Sequence, residues 1–378
     1  MAGTSIDLSN FRPQGLVSVF LGLIAAFFVG VTLLELKSVL VPFSVALLLS
    51  FIFQPIVLFL KARRIPTIIA LIMVFVTLAA VASIAGYIVY SSAQSLTTAS
   101  DRYLPRIQTI ISDIELLLLN TTALLGIEEG RFDLNQLVDP SMVPSLIQNA
   151  IGEAITFAGN TFLVLLFMLF ILAGSGELGV KVRRAYPSNI AERINRVTEN
   201  ISQQVRQYLV AKTAVSFGTG LLIFVVLWIF GVDYPIFWGF LAFLLNYIPN
   251  IGSFIAVILP FGFALLQFDT LTIPIVTALL MWLIQMIMGN VVDPRLMAFS
   301  LNLSPLLVIV SLIFCGWLWG VTGMILAVPL TATLKIFFEN IETLHPIAVL
   351  MGSVNGRKTV HPSPDSGVPT DTAVSVPS

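Results

Sequence analysis

The sequence predicts an all-α polytopic integral membrane protein: six spans plus two re-entrant helical hairpins, or eight spans, with an inverted-repeat C-terminal half. Three observations predict it. Of 378 residues, 57% are hydrophobic and only 10% are charged, a balance far from that of soluble domains. Most of the apolar residues fall into runs of about 20, the length that crosses a hydrocarbon core of about 30 Å. Two later runs are too long for one crossing, and each is broken near its middle by a Gly/Pro cluster.

Composition also excludes. A formal net charge of −1 gives no basic field for nucleic acid. The single cysteine, Cys315, rules out an internal disulfide, and His345 and His361 have no ligand-spaced partners. There is no Walker-type loop and no credible nucleophile–base pair, so the chain reads as a non-enzyme without a cofactor or metal. Met1 to Gln14 is short and polar, and the apolar run after it lacks a cleavage-like end. That run is expected to be a retained span, not a signal peptide.

Residues 1–90 form a three-span region: Leu16 to Leu34, Val39 to Leu60 with Gln54-Pro55 inside it, and Pro66 to about Tyr90. Lys61, Arg63 and Arg64 are the tightest basic cluster, which places their loop and both termini in the cytoplasm. Residues 91–150 hold seven acids against three bases and read as an extracytoplasmic segment. Within it Leu104, Ile107, Ile111, Ile114 and Leu118 make a heptad-like stripe for packing on another helix. Residues 151–207 comprise a fourth span, Ile151 to Ala173, and a segment with six bases against three acids. Its stripe of Ile190, Ile194, Val197, Ile201 and Val205 reads as an amphipathic helix lying among anionic lipid headgroups. Residues 208–345 carry the fifth span, the broken runs and one further span, and residues 346–378 form a tail of disordered composition.

The first broken run, Pro235 to Gln267, is interrupted at Asn246 to Ser253, and the second, Ser304 to Phe338, at Gly316 to Gly323. As one straight helix the first would reach roughly 50 Å. Irregular backbone is tolerated at membrane depth only inside protein or beside water, and paired interruptions in two halves of a chain point to a transport site. If both runs are hairpins, Arg295 lies in the cytoplasm as the positive-inside rule favours; as single passes they give eight spans and put Arg295 outside. The hairpin version also makes each half a span followed by a broken run of opposite topology, an inverted repeat.

The same residues resemble the autoinducer-2 exporter family of bacterial membrane proteins. The resemblance rests on Tyr208-Leu209 with Lys212, Gly231 with Trp238-Gly239, the Asn246 to Ser253 segment, Gln285 with Gly289-Asn290, and Asp293-Pro294. It is strongest in Leu301 to Pro305, Gly316 to Gly320, and Gly323 through Val328-Pro329-Leu330, followed by Lys335. It covers the C-terminal half in detail and the N-terminal spans in layout. The family often has a bulkier residue near Cys315 and a Lys after Ala298, where this chain has Phe299. The resemblance implies a multipass protein of the bacterial inner membrane that exports autoinducer-2. Other members look like sodium/proton antiporters. With the outer stripe, it also implies a homo-oligomer, with a ring such as a pentamer among the arrangements open to it.

A small polar solute of this kind needs hydrogen-bonding groups more than charge. The residues expected to bind it are Asn246, Pro249, Asn250, Gly252, Ser253, Gln285, Asn290, Asn302, Ser304, Pro305, Gly316, Gly320 and Gly323, so that both breaks form one site. Structural bonding between helices is the competing role for each Asn and Gln. The rivals are a cation/proton antiporter titrating at Asp233, Asp293 or Lys212, and a membrane scaffold working through the acidic outer segment. A scaffold has no need of unwound backbone in lipid.

Charge placement yields a topology test. A cysteine at Ala298 on a Cys315→Ala background is expected to be labelled from the cytoplasm. Labelling only by an impermeant reagent added outside would restore the eight-span arrangement.

Overall fold

A computed structural model describes residues 13–98, residues 105, 106, 108, 109, 112 and 116, residues 159–296 except 176, and residues 303–353. The outer stripe from Leu104 to Leu118, the start of the fourth span, Asn302 and the tail from 354 onward lie outside the described residues. Among those described, every regular element is helical, with one isolated bridge between Leu303 and Gly352. The fold is all-α and polytopic, as its apolar runs require.

The helices are α1 (Pro13–Glu35), α2 (Lys37–Ala62), α3 (Thr67–Thr98), α4 (Gly159–Gly174), α5 (Leu178–Ala185) and α6 (Ser188–Ile229). They continue with α7 (Pro235–Leu245), α8 (Ile251–Gln267), α9 (Thr272–Ile287), a π-turn (Met288–Val292), α10 (Asp293–Leu296), α11 (Pro305–Glu339) and α12 (His345–Met351). Among the described residues five helices are long and apolar enough to cross a membrane: α2, α3, α6, α9 continued through α10, and α11. A sixth span results if α4 and α5, bent by 53°, count as one.

The structure departs from the sequence reading at α6. The basic amphipathic segment and the fifth span, which hydropathy divides at 207/208, are one unbroken helix of 42 residues. The stripe explains the continuity. Ile201 and Val205 pack with Leu209, Leu48 of α2, and Leu326 and Ile336 of α11, whereas Ile190 at the start of the stripe is 44% exposed. The C-terminal part of the stripe is thus buried against other helices of the bundle.

The first broken run folds back on itself. Gln267, at the end of α8, donates through Nε2 to the Gly231 carbonyl (2.8 Å) and accepts at Oε1 from the Asp233 N–H (2.8 Å). Both ends of the run therefore meet. Between them Phe263 of α8 packs against Tyr234 and Trp238, ring centroids 5.7 and 5.6 Å apart. The reversal comes at Asn250, a non-glycine residue at φ +60°.

The second run also folds back, and α11 is two helical limbs joined at a kink. A straight 35-residue rod would span about 52 Å. Yet the N–H of Ser304, just before its first residue, donates to the Met351 carbonyl (3.0 Å). Met351 follows Glu339 by only 12 residues, a chain that reaches about 42 Å even when fully extended. The bend is at Gly320, φ +65° and ψ −145°, a conformation that only glycine adopts readily.

Both reversals are packed alike. A Cβ at Gly252 would lie 1.8 Å from the Leu245 carbonyl oxygen, and one at Gly323 would lie 2.0 Å from that of Cys315. In each hairpin the second limb thus rests on a carbonyl in the last turns of the first. The first hairpin is held to α6 by a further close approach, Gly220 against Gly239, where a Cβ on Gly220 would come 2.5 Å from the Gly239 oxygen.

Overpacking of this kind costs about 1–3 kcal/mol. Gly252→Ala and Gly323→Ala are each expected to lower the melting temperature in detergent. Gly262→Ala in α8, where a Cβ meets nothing within 4 Å, is expected to leave it unchanged or raise it. Equal behaviour of the three variants would contradict the packed reversals.

Candidate functional site

The fold-back places the Asn246 to Ser253 turn between α6 and α9, and a cavity of about 790 Å³ opens there. Six of the residues expected to bind solute line it: Asn246, Pro249, Asn250 and Ser253 from the turn and α8, Gln285 from α9, and Asn290 from the π-turn. Gly252 sits one layer behind, against Leu245.

The others lie elsewhere. Gly316, Gly320 and Gly323 belong to the second reversal, which is not part of the cavity wall. That reversal docks on α1, with Trp319 Nε1 donating to the Leu33 carbonyl at 3.2 Å. Ser304 caps α11, its Oγ accepting from the Leu307 N–H at 3.2 Å, and Pro305 takes the first helical position, where a missing N–H costs nothing. Asn302 lies outside the described residues. The cavity thus belongs to the first hairpin and α9, and the second hairpin supports it from behind: Leu312, Cys315, Met324 and Ala327 share a core with Ile248 and Ala256.

Within the cavity wall the polar groups divide into anchored and unpartnered. Asn246 Nδ2 donates to Ser216 Oγ (3.0 Å) in a buried bond, and Tyr247 Oη bonds Thr213 Oγ (2.8 Å), so this end of the turn is tied to α6. Asn290 Nδ2 donates to the Met286 carbonyl (3.0 Å), holding the π-turn. That turn inserts an extra residue into the helical register, rotating the succeeding residues by about 100°. Asp293 comes next and bonds Lys212 of α6, Nζ to Oδ2 3.1 Å. Lys212 is only 7% exposed, and such a charge requires a partner.

Gln285 differs. It too is 7% exposed, yet neither its Nε2 nor its Oε1 has a hydrogen-bond partner; nor does Asp293 Oδ1. A buried polar group left unpaired costs about 1–3 kcal/mol, so these atoms mark a place for water or ligand. They offer one amide donor and two acceptors beside an internally neutralised ion pair, a pattern suited to an uncharged hydroxylated molecule. Among the described residues no group of three or more His, Cys, Asp or Glu is placed to hold a metal ion.

Sequence reasoning considered Lys212 and Asp293 only as separate titratable groups, since 81 residues divide them. It missed the apolar rim of Phe254, Val257, Ile258, Trp282 and Met286. The signal for Trp282 was available, because it lies one helical turn before Gln285 on the same face.

The profile of the AI-2E family of transporters matches residues 18–343. The AI-2 transport protein TqsA of Escherichia coli K12 is 33% identical over 357 residues, covering 94% of this chain and 99% of that protein. A protein of Haemophilus influenzae, assigned only provisionally to transport, is 32% identical over 323 residues, 85% of this chain and 92% of its own length. A Borreliella burgdorferi protein of the same provisional description is 33% identical over 207 residues, covering 54% of this chain and 57% of its own.

A residue kept for a ligand is not kept for stability. Gln285→Leu is expected to raise the melting temperature of the ligand-free protein, because it removes two unpaired buried atoms. Asn246→Leu is expected to lower it, costing about 1–3 kcal/mol of stability, because Ser216 Oγ loses its donor. The reverse order in thermal melts would show the roles of the two amides to be exchanged.

Proposed function

The chain belongs to the AI-2E family of transporters, and from that premise we propose that it is a secondary transporter exporting a small, uncharged, hydroxylated solute, autoinducer-2 first among candidates, across a bacterial inner membrane. The observation that carries the reading is Gln285, buried and unpartnered at both ends of its amide in a cavity of about 790 Å³. A hydroxylated solute donates to Gln285 Oε1 and Asp293 Oδ1 and accepts from Gln285 Nε2. Lys212 and Asp293 cancel, so no charged partner is called for. The name of TqsA, an AI-2 transport protein, supports the choice of solute.

In this reading both broken runs are re-entrant hairpins, which the meeting of their ends supports, and α6 with the first hairpin is inverted relative to α9 with the second. Both termini are cytoplasmic in this reading, which the basic cluster Lys61, Arg63 and Arg64 supports. The protein works as a homo-oligomer. Phe254 and Trp282, 67% and 58% exposed, rim a polar cavity that would otherwise open sideways onto lipid, and a neighbouring copy covers it.

A second reading, cation/proton exchange, is favoured by one observation, the free oxygen of Asp293 beside Lys212. Flux into proteoliposomes separates the two. Under solute export, Gln285→Leu is expected to cut autoinducer-2 flux by about tenfold or more, the equivalent of one or two unsatisfied hydrogen bonds. Sodium flux driven by a pH gradient that disappears in Asp293→Asn, with no autoinducer-2 movement in the wild type, would replace this reading with the second. A monomer in mild detergent and in nanodiscs would remove the oligomer.

A further inference from the structure

A second polar cleft, of about 370 Å³, opens between α2, the α4–α5 junction and the N-terminal half of α6, apart from the cavity described above. Its α6 wall is Asn195, Thr198, Ser202 and Arg206, a stripe at helical spacing. The polar stripe of an amphipathic helix ordinarily faces water. Here it is walled by Arg183 of α5 and by Gln54 and Leu58 of α2. The wall is packed: a Cβ on Gly179 of α5 would lie 3.5 Å from Asn195 Oδ1.

The charge in the cleft is unbalanced. Arg183 and Arg206 face a single carboxylate, Glu199. Neither arginine has an ion-pair partner among the described residues. Two guanidinium forks are thus left to an outside oxyanion, for which their planar donor geometry is suited.

Position narrows the ligand. Gln54 lies two turns, about 12 Å, inside the end of α2, and Lys61, Arg63 and Arg64 come at and beyond that end. At the mouth of the cleft Leu58, on the same face of α2 as Gln54, is 52% exposed. A cationic, hydrogen-bonding recess is therefore continuous with an apolar edge. A soluble phosphate would use the first and gain nothing from the second.

We propose that this cleft binds an anionic phospholipid, its phosphodiester bridged by Arg183 and Arg206 and its acyl chains leaving the recess past Leu58. The site is independent of the transport cavity. The bound lipid joins α2, α5 and α6 at the end of the bundle where the long helix leaves the membrane.

Native mass spectrometry of the full chain released from equimolar phosphatidylglycerol and phosphatidylcholine nanodiscs tests it. The wild type is expected to retain phosphatidylglycerol selectively. Arg183→Gln with Arg206→Gln is expected to reduce that selectivity by about tenfold, the loss of one charge-assisted bond or more. Arg206→Lys is expected to keep most of it. Glu199→Gln, which removes the opposing carboxylate, is expected to increase it, and this variant decides the matter if the double variant does not fold. Unchanged selectivity in the double variant, or no gain in Glu199→Gln, overturns the proposal. So does displacement of the lipid by soluble glycerol phosphate, which would assign the recess to a free phosphate.

Discussion

The contact between Gly220 and Gly239 sets the geometry on which the site depends. With no side chain on either residue, α7 lies on α6 at backbone distance, and its oxygen at Gly239 occupies the place of a Cβ. The groups that define the cavity are ordered along the same face of α6. Gly220 seats α7, Ser216 one turn earlier holds Asn246, and Lys212 one turn earlier again holds Asp293. Any residue larger than glycine at the crossing would lift the hairpin and break this register. Glycine here supplies proximity, not conformational freedom.

The two reversals solve one problem with different chemistry. Backbone that leaves the helix at membrane depth must find partners or water. Both hairpins pack a glycine of the second limb on a carbonyl in the last turns of the first, and both turn at a positive φ, Asn250 and Gly320. Their side chains then diverge. The first turn carries Asn246, Asn250 and Ser253 and opens on a cavity, whereas the second carries Trp317, Leu318 and Trp319 and closes against α1. The two reversals are alike in backbone and unlike in polarity, so a polar cavity opens at the first and not at the second.

The length of α6 links two environments. Ile201 and Val205 of its apolar stripe are covered by α2 and α11 while its polar stripe faces the basic cleft, and its later turns reach the cavity. One rigid element of 42 residues therefore runs past both. Arg106 makes a comparable long-range tie, donating to the Asp269 carbonyl at 3.1 Å in the turn after the first hairpin.

By itself the sequence determined the fold class, the places of most spans, and the two breaks with their glycines. These are local properties: bilayer thickness sets the length of an apolar run, and a Gly/Pro cluster interrupts it wherever the chain goes next. It also picked out Gln285 and Asn246, since an amide in an apolar run is conspicuous. It did not distinguish the anchored amide from the free one, because that depends on Ser216, 30 residues away from Asn246. Only the tertiary structure decided that Ser304 caps a helix, that Gly320 turns a reversal outside the cavity, and that residues 188–229 are one helix. It alone joined Lys212 to Asp293 across 81 residues. Contacts between helices depend on which faces meet, and hydropathy along one helix does not specify the face of another.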